Sequence, residues 1–155
     1  MKNADESTVP IHEGGCLCGA VRYRAVGSPE FVAVCHCKNC QRNSGSAFSV
    51  NCAFPKDAVT ISGTLSVYED KGDTGDVVRR LFCGKCGTPI ESQSTFSASH
   101  YTVLKAGTFD EPRGFTPDTE VYCANAFPWL NDGAERPRHQ RLNNENIAAE
   151  DPPGV

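Results

Sequence analysis

The sequence predicts a mainly β domain of short antiparallel strands, with cysteine knuckles placed where strands meet. Three observations carry this. Gly, Pro and Ser interrupt the chain every few residues and leave β-prone runs of strand length between them. Several of those runs alternate with period two: in "SAFSVNCAF" the set Phe48, Val50, Cys52 and Phe54 falls on one face. Finally, seven of the nine cysteines fall into three tight clusters.

Taken in order, residues 1–13 read as a polar leader. The strand candidates that follow are "AVRYRAV", "FVAV", "SAFSVNCAF", "VTIS", "LSVYE", "VVRRLF", "HYTVLKAG" and "TEVYCA". One helical turn fits around "KNCQRN". Residues 14–130 form the expected domain. Residues 131–155 are polar, with three prolines and no sustained apolar period, and predict a poorly packed tail.

The bulk properties narrow the function classes. A chain of 155 residues, 39% hydrophobic and 22% charged, suits one soluble domain. Its net charge of -4 and pI near 5.5 argue against a nucleic-acid surface, which would need a basic stripe. No apolar run approaches the roughly 18 residues of a membrane span. The start carries no apolar signal region, so a cytoplasmic location is expected. Thiols stay reduced there, and clustered cysteines are then metal ligands before they are disulfides.

Cys16–x–Cys18 and Cys83–x–x–Cys86 are both flanked by glycines that allow tight turns. Together the two pairs supply the four sulfurs of a closed structural zinc site. The trio Cys35, Cys37 and Cys40 offers three ligands and an open fourth position, as a catalytic zinc requires. Cys52, Cys123 or His36 could instead complete that site and leave it inert. His36 sits between two ligands and should point away from their metal. Cys52 falls on the apolar face of its strand and reads more simply as core, and Cys123 reads similarly. The separated spacings argue against one cluster of all seven cysteines.

The ordered set "GGCLCGAVRYRA", "CHCKNCQRNSGSAFSV", "RRLFCGKCGTPI", "LKAGTFDEP" and "FPWL" resembles the glutathione-dependent formaldehyde-activating enzyme family, also called the CENP-V/GFA domain family. The resemblance implies a mainly β, Mss4-like fold with two zinc ions. One would be structural, on Cys16, Cys18, Cys83 and Cys86, and one catalytic, on Cys35, Cys37 and Cys40. It also implies carbon–sulfur lyase chemistry, joining glutathione and formaldehyde into S-hydroxymethylglutathione or reversing that step. Cys123 departs from the pattern.

Three thiolates on zinc leave a local charge near -1, a weak Lewis acid but a natural site for a fourth thiolate. Lys38 and Arg42, spaced i and i+4 beside the trio, are the expected cations for the acidic thiol. Ser44 and Gly45 are candidate donors to a developing alkoxide, and Trp129 a candidate pocket wall. The expected partners are a small thiol such as glutathione and an aldehyde, with no nucleic acid and no membrane. An alternative from another class is a zinc-stabilised binding or chaperone-like module, which would need only the four-cysteine site.

Overall fold

A computed structural model describes residues 8–130, 133 and 135–139. Among them lie ten strands, one α-helix and five short 3-10 helices. The strands are β1 (Ile11–Gly15), β2 (Arg22–Val26), β3 (Phe31–Cys35), β4 (Ser49–Pro55), β5 (Val59–Ser62), β6 (Leu65–Lys71), β7 (Val77–Cys83), β8 (Pro89–Ser94), β9 (Tyr101–Lys105) and β10 (Thr119–Val121). The helix is α1 (Lys38–Ser44), between β3 and β4. The fold is mainly β. No helix among the described residues is long and apolar enough to cross a membrane.

Two sheets form, a three-stranded one ordered β1-β2-β5 and a seven-stranded one ordered β10-β3-β4-β9-β8-β7-β6. Alternation sets how they meet. In β2 the residues Tyr23 and Ala25 are buried while their neighbours are exposed, so one face of the small sheet closes on the large one. The main core lies between them and gathers Val21, Tyr23 and Ala25 with Val32, Cys52, Phe54, Ile90, Leu104 and Phe109. Burying a side chain such as Phe54 contributes about 2–3 kcal/mol. Cys52 is fully buried in this core beside Phe54, as its strand position predicts. The opposite face of β3, β4 and β9 carries a second cluster of Phe31, Ala33, Ala53 and Val103. That two-sided burial explains why β3 reads as a continuous apolar run.

Four features differ from the sequence expectation. β1 occupies part of the predicted leader. Its glycines permit close approach, because a Cβ at Gly14 would lie 2.3 Å from the Tyr23 hydroxyl oxygen. β8 was not anticipated, since "PIESQS" is polar, yet it sits between β7 and β9 with Ile90, Glu91 and Ser92 buried. The sheets are not wholly antiparallel, because β10 runs parallel to β3. The expected loose tail is also corrected in part. The Glu120 N–H donates to the Pro137 carbonyl at 2.9 Å and the His139 N–H to the Glu120 carbonyl at 3.0 Å, so residues 137–139 lie along β10. The leader over residues 1–7 and the tail from residue 140 fall outside the described residues.

Candidate metal centres and active site

The turn after β1 and the turn between β7 and β8 bring four thiols together. The sulfurs of Cys16, Cys18, Cys83 and Cys86 all lie within 4.8 Å of one another. Cys16 and Cys18 are 3.6 Å apart, and Cys18 reaches Cys83 at 3.8 Å across 65 residues of sequence. Zinc–sulfur bonds of about 2.3 Å put tetrahedral sulfurs about 3.8 Å apart. The donor set therefore fits a tetrahedral zinc in both type and spacing. Gly87 makes the second knuckle possible: its φ of 78° is left-handed, and its N–H donates to the Cys83 carbonyl at 2.8 Å. Thr88 ties the knuckles together. Its hydroxyl oxygen accepts the Leu17 N–H at 3.1 Å and lies 3.2 Å from the Cys86 sulfur. The Thr88 hydroxyl, helped by the N–H groups of Thr88 and Cys18, pulls the Cys86 thiol down to about 5.

The second group is local. Cys35 ends β3, Cys37 caps α1 and Cys40 sits on its buried face, and their sulfurs also lie within 4.8 Å of one another. The Cys37 sulfur accepts the Cys40 N–H at 3.2 Å, which fixes the first turn. Cys35 and Cys40 are buried, while Cys37 is half-buried. Neither Cys52, Cys123 nor His36 joins the group. His36 points away as expected: its Nε2 lies 2.9 Å from Glu120 Oε1, on the side of Cys123.

Around the trio stand residues that the sequence reading passed over. Arg80, on β7, is buried with its Nη1 donating to the Cys40 sulfur at 3.9 Å, to Ser92 Oγ at 3.3 Å, and its Nε to Asp70 at 3.1 Å. Lys105, at the end of β9, is buried and donates to Asn51 Oδ1 at 2.6 Å and Ser49 Oγ at 3.2 Å. Hydrogen bonds with the Cys35 and Cys37 thiols hold Cys40 well below the ordinary thiol range, and the charges of Lys105 and Arg80 add to this. Tyr122 packs on Cys35 and Cys40 with φ 57°, an outlying conformation for a bulky residue. Asn39 holds α1 to β6 through the Lys71 carbonyl at 3.0 Å, and Gln41 holds it to the Asn125 carbonyl at 3.0 Å.

The expected substrate residues fare differently. Lys38 and Arg42 are exposed on α1, and the cations acting on Cys40 are Lys105 and Arg80 instead. The Gly45 N–H is committed to the Gln41 carbonyl as the helix C-cap, so it is not a free oxyanion donor. Ser44 hydrogen-bonds the Phe48 carbonyl at 3.1 Å, although it also lines a cavity. Trp129 is 72% exposed and meets Phe127 edge to face at 6.1 Å. The cavity near Ser44 encloses about 400 Å³. Its walls include Asn43, Ser44, Ser49 and Lys105 together with Phe48 and Phe115, but none of the trio cysteines. In sequence Arg80 and Lys105 are charges inside the strand-like runs "VVRRLF" and "HYTVLKAG", a signal easily read as a solvated face.

Comparison with known proteins adds to this geometry. The family model described as glutathione-dependent formaldehyde-activating enzyme matches residues 11–125. A Schizosaccharomyces pombe protein named an uncharacterized lyase is 27% identical over 128 residues, covering 83% of this chain and 89% of that protein. A Halomonas elongata protein, provisionally named a glutathione-dependent formaldehyde-activating enzyme, is 30% identical over 83 residues, 50% of this chain and 53% of that one. A crystal structure of a Rhodobacter sphaeroides protein aligns with a TM-score of 0.49 at 20% identity, over 68% of this chain and 97% of that one.

Proposed function

This chain belongs to the glutathione-dependent formaldehyde-activating enzyme family, and on that premise we propose that it is a zinc-dependent carbon–sulfur lyase acting on thiol–aldehyde adducts. The preferred pair is glutathione with a small aldehyde. The observation that carries this reading is the unequal completeness of the two thiol groups: four sulfurs close one site, and three leave the other a ligand short. A zinc ion on Cys35, Cys37 and Cys40 would bind and deprotonate an incoming thiol, supplying a thiolate nucleophile at neutral pH.

The chain's own residues make that chemistry affordable in a buried setting. Arg80 and Lys105 bring two positive charges toward Cys40, where a site loaded with four thiolates approaches -2. Cys37 leaves the approach open, and Tyr122 covers Cys35 and Cys40 from the β10 side. The four-cysteine zinc would hold the β1–β2 and β7–β8 turns together without entering the reaction. A reducing compartment, such as the cytoplasm, would keep the seven clustered thiols reduced for these roles.

Exchange NMR tests the reading at equilibrium. Protein carrying two zinc ions should speed interconversion of formaldehyde hydrate and S-hydroxymethylglutathione, and protein stripped at the trio should not. Unaccelerated exchange with both sites loaded, for formaldehyde and for longer aldehydes, would sink it.

A further inference from the structure

Side chains alternate along a strand, so neighbours in β10 should face opposite sides of the sheet. Glu120 obeys this and reaches His36 on one face. Val121, level with Cys35 in the β10–β3 pairing, packs on the trio from the other. Regular alternation would send Tyr122 back to the Glu120 side. Instead the chain turns left-handed there, with φ 57° and ψ 38°, and Tyr122 joins Val121 against Cys35 and Cys40. Tyr122 is the one non-glycine residue with positive φ among the described residues. Bulky residues avoid this region, and such outliers gather at functional sites, where the surrounding fold sustains the strain. Its hydroxyl is unusual too. A buried tyrosine ordinarily finds a partner for its O–H. Tyr122, 6% exposed, makes no side-chain hydrogen bond among the described residues. The oxygen is not fully enclosed, so the donor stays reachable.

We propose that Tyr122 donates its phenol O–H to the carbonyl oxygen of the aldehyde as a thiolate adds at the trio. The assignment rests on the lyase reading and adds to it a catalytic residue outside the thiols. In the forward step a thiolate lone pair forms the C–S bond to the carbonyl carbon, and the C=O π pair moves onto oxygen. That oxygen accepts the Tyr122 O–H as its charge grows, then takes a proton from water. The hydroxide left behind is neutralised by the proton that the thiol released on becoming thiolate. Cleavage of the adduct reverses each transfer. A phenol keeps its proton at neutral pH, so it can act as a donor throughout. The polar groups that end α1 are committed, the Gly45 N–H to the Gln41 carbonyl and the Ser44 hydroxyl to the Phe48 carbonyl. Tyr122 offers what that segment does not, an uncommitted donor on a side chain packed against two of the trio cysteines.

Two measurements on the zinc-loaded full chain test this. Tyr122→Phe removes one oxygen and keeps the ring and the backbone demand, so melting and zinc content should stay near wild type. Its kcat for adduct formation should fall about 100-fold, the loss typical of one oxyanion donor, with little change in the KM for glutathione. The second measurement needs no turnover. It compares binding of 2-mercaptoethanol, whose hydroxyl oxygen can accept the Tyr122 O–H, with that of ethanethiol, which has none. The ratio of the two affinities should shift about 2- to 10-fold against 2-mercaptoethanol in Tyr122→Phe, the range expected for one net hydrogen bond. A variant with wild-type kcat, or with an unchanged affinity ratio, would overturn the proposal and leave the lyase reading standing. A wild-type chain that binds both thiols yet turns over no thiol–aldehyde adduct would remove the lyase reading and this proposal with it.

Discussion

The two thiol groups differ in how the chain assembles them and in what neutralises them. Cys18 and Cys83 meet across 65 residues, so a metal held by the four-cysteine group would cross-link distant turns. The trio spans six positions and is shaped by one helix start. Their surroundings differ as sharply. The first group runs from buried Cys16 and Cys83 to exposed Cys18, and is bonded by backbone N–H groups and the Thr88 hydroxyl. The second is largely interior and faces the buried cations Arg80 and Lys105. Water and amides suffice where charge is static and solvated. On the proposed function the trio must accept another negative ligand, and a buried site that does so needs full positive charges nearby.

That contrast can be broken in descending steps. Cys83→Ser should have the largest effect, because structural zinc binding contributes about 10–16 kcal/mol in small zinc domains, comparable to the ~5–15 kcal/mol stability of a whole domain. Calorimetry should show no cooperative transition, and a strong chelator should reproduce the loss in wild type. Cys40→Ser should keep a cooperative melt but bind one zinc fewer, with activity reduced more than the about 100-fold seen for lost outer ligands. Elemental analysis beside calorimetry separates these two variants, and equal melting losses would erase the distinction.

Arg80→Gln comes next. It strips a cation from Cys40 and leaves Asp70 without its guanidinium, so zinc affinity at the trio should fall about 10- to 100-fold in a chromophoric chelator competition. The double variant Lys38→Ala with Arg42→Ala should be nearly silent. Its melting free energy should move by less than about 0.5 kcal/mol, and its glutathione affinity should lose only a shallow salt dependence. A large drop in affinity would return the substrate-steering role to the exposed face of α1.

The cysteine groups were legible because metal ligation is a short-range pattern: knuckle spacing and flanking glycines are written locally. The apolar face of β4 was legible for a similar reason, since period-two alternation survives burial on both sides. β8 was hidden because tertiary placement overrode composition, putting Glu91 and Ser92 inside a sheet. The cations nearest Cys40 in space were hidden by their distance in sequence. Lys38 and Arg42 are neighbours of the trio in sequence, whereas Arg80 and Lys105 arrive through sheet order, with β7 and β9 flanking β8. The alkoxide donors failed likewise, because the "NSGS" segment that offers polar groups uses them to end the helix.

The Cys37 sulfur does two jobs, as the half-buried thiol of the trio and as the acceptor that caps α1. An N-cap of this kind is worth about 1 kcal/mol, a large share of what holds a seven-residue helix closed. Alkylation or oxidation of Cys37 withdraws that acceptor, so the first turn frays whenever the sulfur is chemically altered. Deuterium uptake at the Cys40 amide then becomes a clock for thiol damage, readable without substrate and before any loss of global fold.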